Sequence, residues 1–395
     1  MRRTFPPVYS PVRLRSLVRA LGAVIREHNG EAYRDEPWGE CFGGRRVLLT
    51  DSCTGALTLA LRHTGSANAA PLVALPAYAC PDVATAAIGA GGRIALYDID
   101  PHSLSPDWDS VLRCLMAGAT HLVVAHLFGR VVDVSIASDL AKRYGAVLVE
   151  DAAQGAGGSR NGIPAGKLAG ISVLSFGRGK GLNSGGGGAL SVTSGDWEPF
   201  RTEFPQNIPM PGQRAALAAL ARVAVVQWLS QPWIYAWPSR IPTLAIGQTV
   251  YREPQPVRAP DAATRVLITE ALELSSTLLP TRQEAEAWYY RELIEWPDIL
   301  ITAPADGERS GALRFPIRIA PEMAAALRRF GAARSYPRTL RDYPEIAPHL
   351  TGISNTCAGA QELARNLHTL PTHGLMQERD RRELVHALVR TITRR

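Results

Sequence analysis

The sequence predicts an α/β fold: a large domain built on a mostly parallel sheet between helices, followed by a smaller C-terminal α/β domain. Three observations lead there. Between residues 46 and 194, short apolar runs alternate with helical patterns. The runs are apolar throughout, as expected of strands covered on both faces. After residue 260 the chain carries one long helical pattern, one strand and several shorter helical stretches.

In chain order, residues 11–29 read as an amphipathic helix with Leu14, Leu17, Val18, Leu21 and Ile25 on one stripe. The strand RVLLT follows, and Thr54 opens the helix TGALTLALRHTG. The strand LVAL leads into a turn and helix at PAYACPDVATAAIGAGG. RIALYDID is a strand and SPDWDSVLRCLMAG a helix; THLVVAH is a strand and VSIASDLAKRYG a helix. AVLVEDAA is a strand ending in acids, and ISVLSF and GALSVTS are strands flanking a glycine-rich turn. The predicted C-terminal elements are a helix over 262–292, a strand around ALRFPIRI, and helices near 321–330, 361–368 and 378–392. The expected organisation is an N-terminal helical segment (1–45), a large domain (46–200), a helical Trp/Pro-rich connection (201–260) and a small domain (261–395).

The chain has 395 residues, enough for two or three domains of ~100–200 residues each. Its formal charge of +7 sits in the tails: residues 1–46 hold nine Arg against five acids, and residues 376–395 hold six Arg against three. The near-neutral middle argues against a nucleic-acid-binding surface. Five cysteines with no CxxC pair suit a reducing cytosol rather than a disulfide framework or zinc site. Arg13, Arg15 and Arg19 interrupt any apolar leader, so the expected location is cytoplasmic. The apolar run from Ala215 to Leu229 is too short to span a bilayer, which needs ~20 residues. With Trp228, Trp233, Tyr235 and Trp237 after it, the run reads as a buried or subunit-interface helix, with weak membrane-surface contact as the alternative.

Lysine is the informative count. The chain holds three, Lys142, Lys167 and Lys180, against 40 arginines. Each Lys therefore asks for a reason, and Arg cannot replace Lys in Schiff-base chemistry because its guanidinium stays protonated. Lys142 reads as a solvent-facing helix residue and Lys167 as a loop residue. Lys180 follows a buried strand into a glycine turn.

In an open α/β sheet, ligands bind beyond the carboxyl ends of the strands. Three stretches fall there. Asp51 to Ala56 forms a strand-to-helix turn, where N–H groups of Thr54, Gly55 and Ala56 could hold a phosphate or Thr54 could be a helix cap without a ligand. Glu150-Asp151-Ala152-Ala153-Gln154 offers a carboxylate for a protonated pyridine nitrogen, or a loop cap or salt bridge. Ser175 to Leu182 surrounds Lys180 with small residues, and Ser175 could add a hydroxyl to a phosphate; Gly181 and Leu182 break the P-loop pattern GxxxxGK[ST]. His126 lines the site or is a satisfied buried histidine, and His368 and His373 read as structural or peripheral. No HExxH, no GxSxG and no carboxylate cluster with metal spacing is present, so no metal site is expected.

An ordered set of motifs resembles the DegT/DnrJ/EryC1/StrS aminotransferases. It comprises Ser52 to Leu57, Pro76-Ala77-Tyr78, His126-Leu127-Phe128-Gly129 with Asp133, Glu150 to Gln154, Ser175-Phe176 with Lys180, Gly187-Gly188-Ala189 and Leu370-Pro371-Thr372-His373. The resemblance implies the pyridoxal-phosphate (PLP)-dependent transferase fold type I with a seven-stranded sheet, and PLP held by Lys180 as a Schiff base. It implies catalytic roles for Lys180, as acid and base, and Asp151, on the pyridine nitrogen. Gln154 would lie beside the ring oxygen, and Thr54, Gly55 and Ser175 would hold the phosphate. Tyr78 is assigned to stack on the ring, with Cys80 as the alternative position. Gly247-Gln248-Thr249-Val250-Tyr251 stands where the family carries a Gly-x-Asn-x-Arg stretch reaching the partner subunit of a homodimer. The implied activity moves an amino group from an amino acid, glutamate first, to a nucleotide-linked keto sugar in surface-polysaccharide or secondary-metabolite synthesis. Two alternatives are a sugar dehydratase, whose family members replace the Lys by His, and a PLP-fold protein without catalysis.

Overall fold

A computed structural model of the chain describes residues 3–28, 43–63, 70–196, 200, 208–237, 249–352 and 357–393. Its strands are β1 (Arg46–Thr50), β2 (Leu72–Pro76), β3 (Arg93–Tyr97), β4 (His121–Ala125), β5 (Val147–Asp151), β6 (Ser159–Arg160), β7 (Ile163–Pro164), β8 (Ile171–Ser175), β9 (Gly188–Val192), β10 (Glu308–Arg309), β11 (Arg314–Arg318) and β12 (Leu367–Pro371). Its helices are α1 (Leu14–His28), α2 (Cys53–His63), α3 (Pro81–Gly89), α4 (Trp108–Met116), α5 (Val134–Tyr144), α6 (Gln213–Leu229), α7 (Ala262–Glu292), α8 (Pro321–Ala324), α9 (Ala358–Asn366) and α10 (Glu378–Ile392).

Seven strands form one sheet in the order β1-β9-β8-β5-β4-β2-β3. β3, β2, β4, β5 and β8 run parallel, and β9 runs against them, pairing antiparallel with both β8 and the edge strand β1. All seven predicted strands are present and the sheet is mostly parallel, as expected. β8 and β9 are buried at every position, which explains why their sequences show no alternation. Helix ends follow local chemistry. Asp107 and Asp133 cap α4 and α5 through the N–H groups of Ser110 and Ser135, and α5 stops at Gly145 in the left-handed conformation. Asp133, singled out as a motif residue, is thus a helix cap.

A second core joins α7, β11, β12 and α10 around Tyr289, Phe315, Leu327, Leu370 and Leu384. β11 pairs antiparallel with β12. The helix expected near 361–368 ends at Asn366, because Leu367 and His368 turn into β12 and pair with Arg318 and Ile317. That pairing is long-range and leaves no mark in local sequence.

The stripe expected on the first helix faces outward. Leu14, Val18, Leu21 and Ile25 are exposed, at 77, 62, 41 and 49%. The inward face is Ser16, Ala20 and Val24, small side chains that bring α1 close to α7, with Ser16 donating to Glu270 at 2.8 Å. Trp228, Trp233 and Trp237 are also exposed. No helix among the described residues is long and apolar enough to cross a membrane.

Candidate functional site

The carboxyl ends of the central strands converge. Ala125 pairs with Asp151 across β4 and β5, and Asp151 with Val173 across β5 and β8, so His126, Asp151 and Ser175 leave neighbouring strands at one level. An open cavity of about 720 Å³ lies there. Its lining includes Thr54, Asp151, Gln154, Ser175 and Lys180, five of the seven predicted site residues. Lys142 is exposed, and neither it nor Lys167 lines the cavity.

Lys180 is held by its main chain. Its N–H donates to Gly177 O at 3.2 Å, over Gly179 at φ +81°, which favours glycine. Its carbonyl accepts from Ser10 Oγ at 2.9 Å. Arg282 donates to Gly181 O at 3.1 Å and to Ser10 Oγ at 2.7 Å. Arg282 is buried, and burial brings its guanidinium down to about 10. It escaped sequence analysis because it lies 101 residues from the turn it braces.

Asp151 is buried beside the cavity and accepts Ala153 N–H on Oδ1 at 2.9 Å. Burial raises its carboxyl above the ordinary value, against lowering by that N–H, by Lys180 and by His126. Lys180 also acts on the thiols of Cys53 and Cys80, which burial pushes up, that of Cys80 to about 12. The Lys180 side chain thus lies near the carboxylate and both thiols in one cavity.

His126 lines the cavity and is also satisfied inside the fold, so both readings of it hold. Val132 N–H donates to Nδ1 at 3.2 Å, so the proton sits on Nε2, 2.9 Å from Glu150 Oε1. His368 and His373 are structural: His373 Nε2 donates to Pro6 O at 2.8 Å, and burial takes the ring down to about 4.

Three expectations change. The N–H of Gly55 is already taken by Ser52 Oγ at 3.1 Å, that of Ala56 by Ser52 O at 3.1 Å, and Gly55 does not line the cavity. The cap of α2 is therefore Ser52, not Thr54, and Cys53 and Thr54 present the helix start to the cavity. Gln154 lines the cavity but is engaged at both ends, accepting Phe128 N–H at 3.1 Å and donating to Tyr336 Oη. Tyr78 is fully buried, outside the lining, edge-on to Tyr336 at 5.3 Å. Cys80 takes the lining position, and the aromatic rings that reach the cavity are Phe128, Tyr235 and Tyr336. The last two sit in segments without a readable motif.

Of the stretch expected to reach a partner subunit, Gly247 and Gln248 lie outside the described residues. Thr249 donates to Ser335 O at 2.7 Å and lines this chain's own cavity with Val250.

The donor set fits the expected cofactor: an amine and a buried carboxylate share the cavity, and a helix start with the hydroxyls of Thr54 and Ser175 offers anion donors beside them. Gly188 makes that edge possible, since a Cβ there would stand 2.4 Å from Cys53 N.

Comparison with known proteins agrees with the architecture. One similar relative is an L-glutamine:2-deoxy-scyllo-inosose aminotransferase of Streptomyces kanamyceticus, 34% identical over 138 residues, which are 35% of this chain and 32% of that protein. This chain thus spans about a third of that relative's length. Among solved structures, DesI in the presence of its TDP-sugar product has a TM-score of 0.74 at 17% identity, covering 100% of this chain and 94% of that one. The E. coli GDP-4-keto-6-deoxy-D-mannose-3-dehydratase with bound hydrated PLP has a TM-score of 0.72 at 12% identity, covering 98% and 100%. At such identity these structures establish the fold. A family model matches the segment that carries the sheet: residues 36–199 match the model of the DegT/DnrJ/EryC1/StrS aminotransferase family.

Proposed function

We propose that the chain is a PLP-dependent aminotransferase that moves an amino group from glutamate or glutamine to a keto sugar, carried on a nucleotide. The observation that carries this reading is the meeting of Lys180 and Asp151 in one cavity beside a helix start. Bound PLP supplies an electron-poor ring that takes up the electron pair released when the donor's Cα–H bond breaks. In this reading Asp151 would pair in its ionised form with the ring nitrogen, Cys53 N–H, Thr54 and Ser175 would hold the phosphate, and Phe128 or Tyr336 would lie against the ring. Lys180 would accept the donor's Cα proton on Nζ as general base and give it up again as general acid.

Retention of Lys180 argues against the dehydratase reading. The exposed apolar stripe of α1 and the tryptophans after α6 support a homodimer with a subunit face there, ahead of membrane-surface contact. Cys53, Cys80 and Cys114 carry free thiols, which supports a cytoplasmic site of action.

The test incubates the PLP-loaded chain with glutamate or glutamine and a panel of nucleotide-linked keto sugars. Amino-sugar product that is lost in Lys180→Ala supports the proposal. A sugar product that loses oxygen without gaining nitrogen would replace it with the dehydratase.

A further inference from the structure

Residues 3–10 form a strap from the second core to the Lys180 turn. At its outer end Arg3 pairs with Asp380 at 3.1 Å, Thr4 N–H donates to Pro232 O at 3.0 Å, and Phe5 is buried in the second core. His373 holds Pro6 O at 2.8 Å, and Pro6, Pro7 and Val8 line the cavity. At the inner end Ser10 is buried and engaged through both of its oxygens. Its Oγ donates to Lys180 O at 2.9 Å, with Gly181 O at 3.4 Å, and accepts from Arg282 Nη2 at 2.7 Å. Its carbonyl accepts from Asn183 Nδ2 at 3.1 Å and from Gln227 Nε2 at 3.0 Å.

The main chain of Lys180 is thus fixed on both sides, its N–H to Gly177 O at 3.2 Å and its carbonyl to Ser10, while its side chain lines the cavity. Among the described residues no other side chain bonds the Lys180 main chain. A lysine stem is flexible, so the place from which its amine approaches a reacting carbon depends on where the Cα is held. A misplacement of about 1 Å at a reacting centre can cost about 100-fold in rate. We infer that Ser10 is the positioning residue for Lys180, and that the N-terminal strap completes the site by fixing the pivot of the amine. This rests on the proposed reading of Lys180 as the residue that joins PLP.

The amine of Lys180 condenses with the aldehyde of PLP and water leaves, whereas pyridoxamine phosphate carries an amine in place of the aldehyde and forms no such bond. The ratio of the two affinities therefore reads the placement of Lys180 apart from turnover and from general loosening of the cavity. The test measures both affinities by calorimetry on the cofactor-free full chain, as wild type, Ser10→Ala, Ser10→Cys and Arg3→Gln. Ser10→Ala should lose about 5- to 30-fold in PLP affinity while pyridoxamine phosphate affinity stays within about twofold. Ser10→Cys keeps the shape with a weaker donor and should fall between the two. Arg3→Gln frees the outer end of the strap and should keep the wild-type ratio. A ratio unchanged in Ser10→Ala, whether both affinities hold or both fall, overturns the inference. An equal change of ratio in Arg3→Gln also overturns it, assigning the effect to the strap as a whole. A selective fall in PLP affinity upholds it even if no amino transfer is found, in which case only the functional reading fails. If Ser10→Ala does not fold, Ser10→Cys decides on the same ratio. If the wild type binds no PLP, the functional reading fails and amide hydrogen exchange over residues 177–183 decides: faster exchange in Ser10→Ala than in wild type and Arg3→Gln upholds the positioning role, and equal exchange overturns it.

Discussion

Glu150 and Asp151 are consecutive in β5 yet one is closed and the other open. Glu150 is fully buried and accepts from Gly166 N–H at 2.6 Å, Ser172 Oγ at 2.7 Å, Leu168 N–H at 2.9 Å and His126 Nε2 at 2.9 Å. Asp151 turns to the opposite face, accepts one N–H from Ala153 and borders the cavity. The pleat thus divides two carboxylates into a structural one and one available to a ligand.

That division predicts opposite mutant phenotypes. Glu150→Ala takes this acceptor from five donors, the fifth being Ala169 N–H at 3.3 Å, and should lower stability by about 3–5 kcal/mol. Asp151→Asn removes a carboxyl whose charge burial already disfavours, so the PLP-free protein should melt no lower than wild type. Its amino-transfer rate should fall at least tenfold. Thermal unfolding and single-turnover kinetics of both variants check this.

Glu286 makes stability depend on pH. Burial raises its carboxyl to about 7, although Ser310 Oγ donates to it at 2.8 Å and Arg130 pulls it down. Between the unfolded value of 4.5 and about 7, the folded chain binds more protons at this site than the unfolded one. Stability from this group is therefore full below 4.5 and falls as pH rises to about 7, by about 3 kcal/mol. His373, lowered to about 4, acts the other way and loses stability as pH falls from 6.5. Urea unfolding of wild type and Glu286→Gln at pH 5 and 8 isolates the first effect: the variant should gain relative to wild type only at pH 8.

Gly188 is expected to tolerate no side chain. The added Cβ would meet backbone, Cys53 N at 2.4 Å and Ser52 C at 2.5 Å, so no rotamer relieves it. Gly188→Ala should cost about 1–3 kcal/mol and weaken phosphate binding at the start of α2. Melting temperature and inorganic phosphate affinity are the measurements.

Arg282 should affect chemistry more than folding. Replacement by Met removes a buried charge while freeing Gly181 O and Ser10 Oγ. A stability change within about 2 kcal/mol is expected, with a larger proportional fall in the rate of the step that uses Lys180. Comparing urea midpoints with single-turnover rates separates the two.

The sheet was legible because its strands are buried on both faces and carry an unbroken apolar signal. Lys180, Asp151 and Ser175 were legible because they follow those strands, where ligands bind, and because lysine is rare in this chain. The reading failed where position depends on distant partners. The α1 stripe was periodic, yet its direction is set by how closely Ser16 and Ala20 let α7 approach. Tyr78 lay next to a strand end, but its ring packs against Tyr336, more than 250 residues away. Arg314 and Tyr336 line the cavity and Arg282 braces the Lys180 turn, all from segments beyond residue 260, and no local motif marks them.

The most direct measurement is the visible absorption spectrum of the purified chain with PLP, for wild type and Lys180→Ala, before and after glutamate or glutamine. The account predicts a band in the wild type that requires Lys180 and bleaches when the amino donor is added. A wild type with no such band, or an identical band in Lys180→Ala, would contradict it.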